Sequence, residues 1–270
     1  MSQLLNGCRA KLQRAHELLA SLELAAEQYV TQDPPLFQLK GMHTKEGLEY
    51  ALVAYGNPDV PLWFSVVTGE IVHHMRSSLD HMICALVAQN GGTPSHLHQF
   101  PICATKDAFK KACERGYIKG VGSTAKQIIK DVQPFTTATP DDTVLFVVSQ
   151  YDNADKHRLL TVLTSIVTVG DITIGTDDSV EKPEDRKSNT PTIVGFGDLG
   201  MKRLDKDGVN VFSILLAEPA PELTASAPLA PQLALDRCGL VELAPLIPTL
   251  RNLLIGTQHT IDTLSQEFKA

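Results

Sequence analysis

The segment 61–89 constrains the fold most, because apolar side chains recur in it every three or four residues. This spacing places them on one face of an α-helix that must be covered by other elements. Pro61 suits the first turn of a helix, and Asn90-Gly91-Gly92 suits its end. The apolar face of this central helix consists of Phe64, Val67, Ile71, Met75, Leu79, Met82 and Leu86.

Helical spacing also marks both ends of the chain. Residues 3–30 carry an amphipathic pattern that stops at Asp33-Pro34-Pro35, since a residue before proline is pushed out of the α region. Residues 246–268 repeat the pattern, with Leu250, Leu253, Leu254, Thr257, Ile261 and Leu264 on one stripe. Shorter helices are expected over 106–115, 123–132 and 141–152. The sequence therefore predicts a helical bundle with N-terminal, central and C-terminal members.

Strand patterns fill the remaining segments. Residues 36–56 predict a β-hairpin, and the β-branched run 159–175 predicts a strand pair or one long bent strand. Further strands are expected at 192–197 and 209–217, with the Pro/Ala stretch 218–231 as a link. We expect one α+β domain over 1–270, in which the bundle packs on an antiparallel sheet. The charged segment 177–191 lacks aromatic residues and predicts a mobile loop.

Composition limits the classes of function. The 270 residues carry a formal net charge of −7, which argues against non-specific binding to nucleic acid or to an anionic membrane. The N-terminus lacks the pattern of a secretory signal, and no run of about 18 apolar residues predicts a membrane span. Five dispersed cysteines without a CxxC pattern are typical of reduced thiols. We expect a cytoplasmic protein that does not enter a membrane.

A histidine-rich stretch lies within the predicted central helix. Residues 70–81 hold three of the nine histidines of the chain, and this side chain titrates closest to neutral pH. On an ideal helix Glu70, His74, Ser77 and His81 fall within a band about 60° wide, while His73, Arg76 and Asp80 lie on an adjoining side. The helix thus carries a polar stripe along one edge of its buried face, where a cleft can form.

Residues 76–81 read Arg-Ser-Ser-Leu-Asp-His, which has the form Arg-x4-His. This pattern resembles the Arg-x4–6-His signature of HEPN-type ribonucleases. The resemblance implies a metal-independent endoribonuclease or toxin-like effector that acts on RNA as a homodimer, without a cofactor. It assigns phosphate and transition-state charge to Arg76 and acid–base work to His81, with Asp80 or Ser77 orienting the pair. Guanidinium matches phosphate, and imidazole transfers protons near neutrality.

The segment 152–158, Asp-Asn-Ala-Asp-Lys-His-Arg, is the second polar group. Lys156, His157 and Arg158, together with His74, form a candidate substrate-binding set that adds positive charge to a cleft at His81. The alternative is a polar helix end, where cationic side chains complement the helix dipole. Both interpretations place this segment between a helix and a strand.

Two further functions stay open. In a non-catalytic ligand- or protein-binding regulatory module, Arg76 and Asp80 would form an i,i+4 pair and His81 a hydrogen-bonded histidine at the core edge. In a metal-dependent hydrolase, Glu70, His74 and His81 would be joined by His96, His98 or His157. Against the metal, His74 and His81 lie about 10.5 Å apart along the axis, and the spacing matches no recognised zinc pattern.

Overall fold

The computed structural model describes residues 3–56, 59–177, 179, 191–197, 200–236 and 243–268. Within these ranges the chain adopts an α+β fold, which confirms the predicted fold class. The α-helices are α1 (Asn6–Val30), α2 (Trp63–Gln89), α3 (Lys106–Glu114), α4 (Ser123–Asp131), α5 (Val144–Asp155) and α6 (Leu246–Ser265). The strands are β1 (Gln38–Thr44), β2 (Glu49–Tyr55), β3 (Val162–Thr168), β4 (Thr173–Thr176), β5 (Ile193–Phe196), β6 (Lys202–Arg203), β7 (Val209–Leu216), β8 (Leu223–Ser226), β9 (Leu229–Asp236) and β10 (Leu243–Pro245).

The chain divides into two compact units. The helical unit comprises Met1–Leu24, Pro61–Thr161 and Leu246–Ala270, and the strand unit comprises Ala25–Val60 and Val162–Pro245. Whether the two units fold as the single domain expected from the sequence stays a prediction. The expected mobile loop at 177–191 lies, apart from residues 177, 179 and 191, outside the described residues.

The apolar stripe of α2 forms the centre of the helical unit. Six of its seven predicted members are buried, and Val67 is half-buried. α2 packs against α5 and α6, which also pack against each other. The predicted stripe of α6 is likewise buried, from Leu250 to Leu264. The periodicity therefore identified the core faces correctly.

Helix α5 is displaced from its predicted range of 141–152. Residues Pro140–Asp142 form a short 3₁₀ turn, and Thr143 is extended (φ −72°, ψ 143°), so the α-helix begins at Val144. It then continues to Asp155, so the first half of the polar segment 152–158 is helical. This difference fixes which of its side chains face α2.

All strand pairs of the strand unit are antiparallel. One sheet has the order β1-β2-β7-β5, a second has the order β10-β9-β3-β6, and β4 pairs with β8. The predicted hairpin at 36–56 is the β1–β2 pair, with Gln38 opposite Tyr55. Buried side chains of this unit include Leu52, Phe212 and Ile214.

Two strand predictions were wrong. The run 159–175 forms neither a strand pair nor one strand, because β3 pairs with β9 and β6 while β4 pairs with β8. The stretch 218–231 is not a link, since it contains β8 and the start of β9. Its prolines pointed away from strand structure, but Pro231 lies opposite Ile166 within the β3–β9 ladder.

None of the helices among the described residues is both long enough and apolar enough to span a bilayer.

Candidate functional site

A buried carboxylate on α5 organises the candidate site. Asp152 follows Leu145 and Val148 on the buried stripe of α5, and its side chain is 2 % exposed. A buried carboxylate is stable in its charged form only if neighbouring groups pair with it. His73 Nδ1–H of α2 donates to Oδ1 at 3.1 Å, and Lys156 Nζ forms an ion pair with Oδ2 at 2.6 Å. These three side chains form the His73–Asp152–Lys156 cluster.

The cluster is buried at its centre and open at both ends. The side chains of His73 and Lys156 are 57 % and 53 % exposed, in contrast to Asp152 between them. A carboxylate that accepts from Nδ1–H fixes the tautomer of a neutral imidazole, so Nε2 carries the lone pair. The cluster therefore offers an oriented proton acceptor beside an ammonium group.

A second carboxyl group lies next to this cluster. The Asp155 carboxylate contacts α2 at Gly69 so closely that no Cβ fits at that position. Burial raises the pKa of Asp155, the negative charge of Asp152 raises it further, and the Leu160 backbone N–H opposes both. The glycine therefore lets α5 place an acidic group directly on the surface of α2.

Arg76 and Asp80, two of the predicted catalytic residues, both hydrogen-bond to the backbone of Phe100. Arg76 Nη2 donates to the Phe100 carbonyl at 2.9 Å and lies 3.1 Å from Asp80 Oδ1. The same carboxylate oxygen accepts the Phe100 N–H at 2.7 Å. The Arg76 side chain is only 13 % exposed. Burial raises the pKa of Asp80, although the Arg76 charge and the Phe100 N–H oppose this shift.

Among the predicted residues, His81 and His74 are influenced by α1, and Ser77 lies between them in the sequence of α2. His81 is exposed, and its ring lies against Gly7. Ser77 and His74 are half-buried on the same helix. Burial lowers the pKa of His74, and the charges of Lys11, His73 and Arg14 lower it further. Arg76 and His81, the two residues of the Arg-x4-His motif, thus contact different neighbours, and the structure does not pair them.

Of the predicted cationic set at the end of α5, Lys156 joins the cluster described above. His157 and Arg158 are exposed, and their backbone N–H groups donate to the Ala154 carbonyl as the helix ends. The segment thus meets α2 at His73, two helical turns before His81. Its cationic side chains are also suited to a helix C-terminus.

Sequence patterns alone did not pair His73 with Asp152 or Asp155 with Gly69. A signal for the first pair was present, because Asp152 lies seven residues after Leu145 and four after Val148, on the apolar stripe. An aspartate at such a position needs a partner from a packed helix. The Gly69 contact had no such signal, since it depends on where α5 crosses α2.

Within the described ranges, no group of three His, Cys, Asp or Glu side chains is arranged to hold a metal ion. Glu70, His74 and His81, proposed above as alternative ligands, form no such group.

Comparisons with protein-family models, with curated proteins and with solved structures found no match to this chain.

Proposed function

We propose that this protein is a metal-independent ribonuclease in which His73 is the acid–base residue. The observation that supports it is the exposed imidazole of His73, held by buried Asp152 at 3.1 Å and accompanied by Lys156. A buried carboxylate that orients an imidazole is a recurrent arrangement for proton transfer. This proposal keeps the reaction that the HEPN resemblance implies and moves the histidine role from His81 to His73.

RNA is a suitable substrate for such a site because it carries its own nucleophile. The ribose 2′-hydroxyl attacks the adjacent phosphorus, the bond from phosphorus to the 5′-oxygen breaks, and a cyclic phosphate forms. His73 Nε2 accepts the hydroxyl proton, and a protonated group or water supplies the proton to the leaving oxygen. Lys156 stabilises the charge that develops on the phosphate, helped by the exposed cations His157 and Arg158. No metal is required for these steps.

The remaining parts of the proposal come from the sequence. The HEPN resemblance implies a homodimer, and the cysteine pattern favours the cytoplasm. Size-exclusion chromatography with light scattering measures the oligomeric state directly. A molar mass equal to that of one chain would remove the dimer from the proposal.

Cleavage of a labelled single-stranded RNA in EDTA tests the proposed function. We expect H73A to lose about 10²-fold or more in rate, the usual contribution of a general acid–base group. D152N should lose activity as well, because asparagine no longer fixes the imidazole through a charged acceptor. H16A, which removes an exposed histidine of α1, is the matched control and should cleave at the wild-type rate.

The same assay separates the two histidine assignments. H81A and R76A test the motif directly, and circular dichroism checks that each variant is folded. Loss of activity in H81A with full activity in H73A would return the catalytic role to the motif. Wild-type protein that leaves RNA intact would end the ribonuclease proposal.

A non-catalytic binding module is the second candidate, and the Arg76 contacts favour it. A guanidinium held by Asp80 and the Phe100 carbonyl, with little exposure, is suited to fixing the chain rather than to binding a substrate phosphate. This candidate predicts that RNA or another ligand is bound without being cleaved. Analysis of the RNA products after binding distinguishes the two functions.

A further inference from the structure

Helix α1 approaches the polar edge of α2 at His81. A Cβ at Gly7 would lie 2.8 Å from His81 Nδ1, so the glycine allows the imidazole to rest on the backbone of α1. Position 7 begins a face of α1 that continues through 11 and 14, at i+4 and i+7. The side chains on that face are Lys11 and Arg14.

Those two cations act electrostatically on His74, on the same edge of α2. Their charges lower the pKa of His74, in addition to the larger effect of burial. His73 lowers it too, and the carboxylate of Glu70 raises it. His74 Nδ1 is buried and has no hydrogen-bond partner among the described residues. The ring thus has a free hydrogen-bonding nitrogen in the neighbourhood of two cationic side chains.

The cations on this face are weakly neutralised. Lys11 is half-buried, and within the part of the chain that the structure describes it forms no ion pair. Arg14 Nη1 lies 3.4 Å from Glu17 Oε2, with both side chains about half exposed. An exposed pair of this kind contributes little and is easily exchanged for a better anion. Lys11 and Arg14 are therefore cations that an incoming anion can engage, on a protein whose net charge is −7.

We propose that the α1–α2 edge, formed by Gly7, Lys11, Arg14, His74 and His81, binds phosphate groups of an RNA strand. This inference rests on the proposed function and extends it, because it adds a binding site next to the cluster that cleaves. The His73 and His74 ring centroids are 6.3 Å apart, so the edge and the cluster lie within reach of one bound strand. Lys11 and Arg14 pair with phosphate oxygens, and the two imidazoles donate or accept hydrogen bonds.

Binding of a 2′-O-methyl RNA, which lacks the nucleophile and stays intact, tests the edge by fluorescence anisotropy. We expect K11Q/R14Q to bind more weakly than wild type. The slope of log affinity against log salt, which is negative, should become less steep by about 1.4, since each phosphate neutralised on a single strand contributes about 0.7 to its magnitude. K106Q/K110Q, which removes two exposed cations of α3, is the matched control and should keep the wild-type slope.

The titration of His74 gives a second measurement, by NMR of the ring protons. Bound RNA should raise the pKa of His74 in wild type, because phosphate offsets the charges of Lys11 and Arg14. The increase should be lost in K11Q/R14Q. Wild-type affinity and slope in K11Q/R14Q, or no RNA binding by the wild-type protein, would overturn the proposed edge.

Failure of the edge and failure of the proposed function are distinguishable. A wild-type protein that binds 2′-O-methyl RNA through Lys11 and Arg14 but cleaves no unmodified RNA keeps the edge and loses the ribonuclease. A protein that cleaves RNA through His73 while K11Q/R14Q binds like wild type keeps the ribonuclease and loses the edge.

Discussion

Asp80 on α2 accepts the main-chain N–H of Phe100 at 2.7 Å, and the carbonyl of that same residue accepts from Arg76 at 2.9 Å. One i,i+4 pair therefore satisfies both polar groups of one peptide residue. Phe100 itself is fully buried. Arg76, the arginine of the Arg-x4-His pattern, and Asp80 thus attach the segment around Phe100 to the central helix.

Replacement of Arg76 by alanine should destabilise the protein. The substitution leaves the Phe100 carbonyl without its donor and Asp80 without its counter-ion, in a place where water replaces neither fully. We expect the free energy of unfolding to fall by about 2 kcal/mol or more, measured by urea denaturation. R115A, which removes an exposed arginine at the end of α3, should change it by less than about 0.5 kcal/mol. Equal stabilities of R76A and R115A would contradict a structural role for the pair.

The helices were predictable because burial selects side chains at a fixed spacing. Spacing predicted the apolar stripes of α2 and α6, and the structure confirms both, although α2 spans Trp63–Gln89 and begins two residues later than expected. The strands β8 and β9 were not predictable in the same way. Their proline content resembles a linker, and only the ladder with β3 and β4 shows them to be strands. The local amino-acid composition does not predict pairing between strands that are distant in the sequence.

The candidate site was predictable as a region and not as a set of contacts. Periodicity placed the histidines of α2 on a polar edge, and the segment 152–158 was identified as its partner. Which histidine meets that segment depends on the crossing of α2 and α5 and on the start of α5 at Val144. Those features put His73 on Asp152, whereas the motif alone pointed to His81.

The contact between Gly69 and Asp155 predicts that G69A changes stability in opposite directions with and without the Asp155 carboxylate. Alanine normally favours a helix over glycine by about 1 kcal/mol. G69A should nevertheless destabilise the wild-type protein by about 1–3 kcal/mol, because its Cβ overlaps the Asp155 carboxylate. In the D155A background that overlap is gone, and the same substitution should stabilise. Urea denaturation of the four proteins gives the coupling, and additive effects would show that the two positions do not touch.

The raised pKa of Asp155 predicts how stability depends on pH. Burial and the charge of Asp152 make ionisation of Asp155 less favourable in the folded protein than in the unfolded chain. The folded state therefore binds this proton more tightly. The stabilising contribution of the protonated group is complete below the unfolded pKa, near the ordinary value of 3.8, and is lost as pH rises through the folded pKa.

D155N isolates that contribution because asparagine does not titrate. Relative to D155N, the wild-type protein should gain stability as pH is lowered from 7 toward 4, measured by urea denaturation at each pH. D107N, at an exposed aspartate of α3, serves as the reference for general charge effects. A difference between wild type and D155N that stays constant over this range would show that the folded and unfolded pKa values are equal.

The thiol of Cys8 should resist alkylation in the folded protein. Its side chain is fully buried, and burial raises its pKa to about 12, with the charges of Arg9 and Asp262 acting in opposite directions. At pH 8 only about one thiol in 10⁴ is then the reactive thiolate, even before access is considered. Cys84 and Cys113 are half-buried free thiols and should react first. Mass spectrometry after iodoacetamide treatment measures each site, and in urea Cys8 should be labelled as fast as the others. Native-state labelling of Cys8 at the rate of Cys84 would show that the packing of α1 opens far more readily than its burial implies.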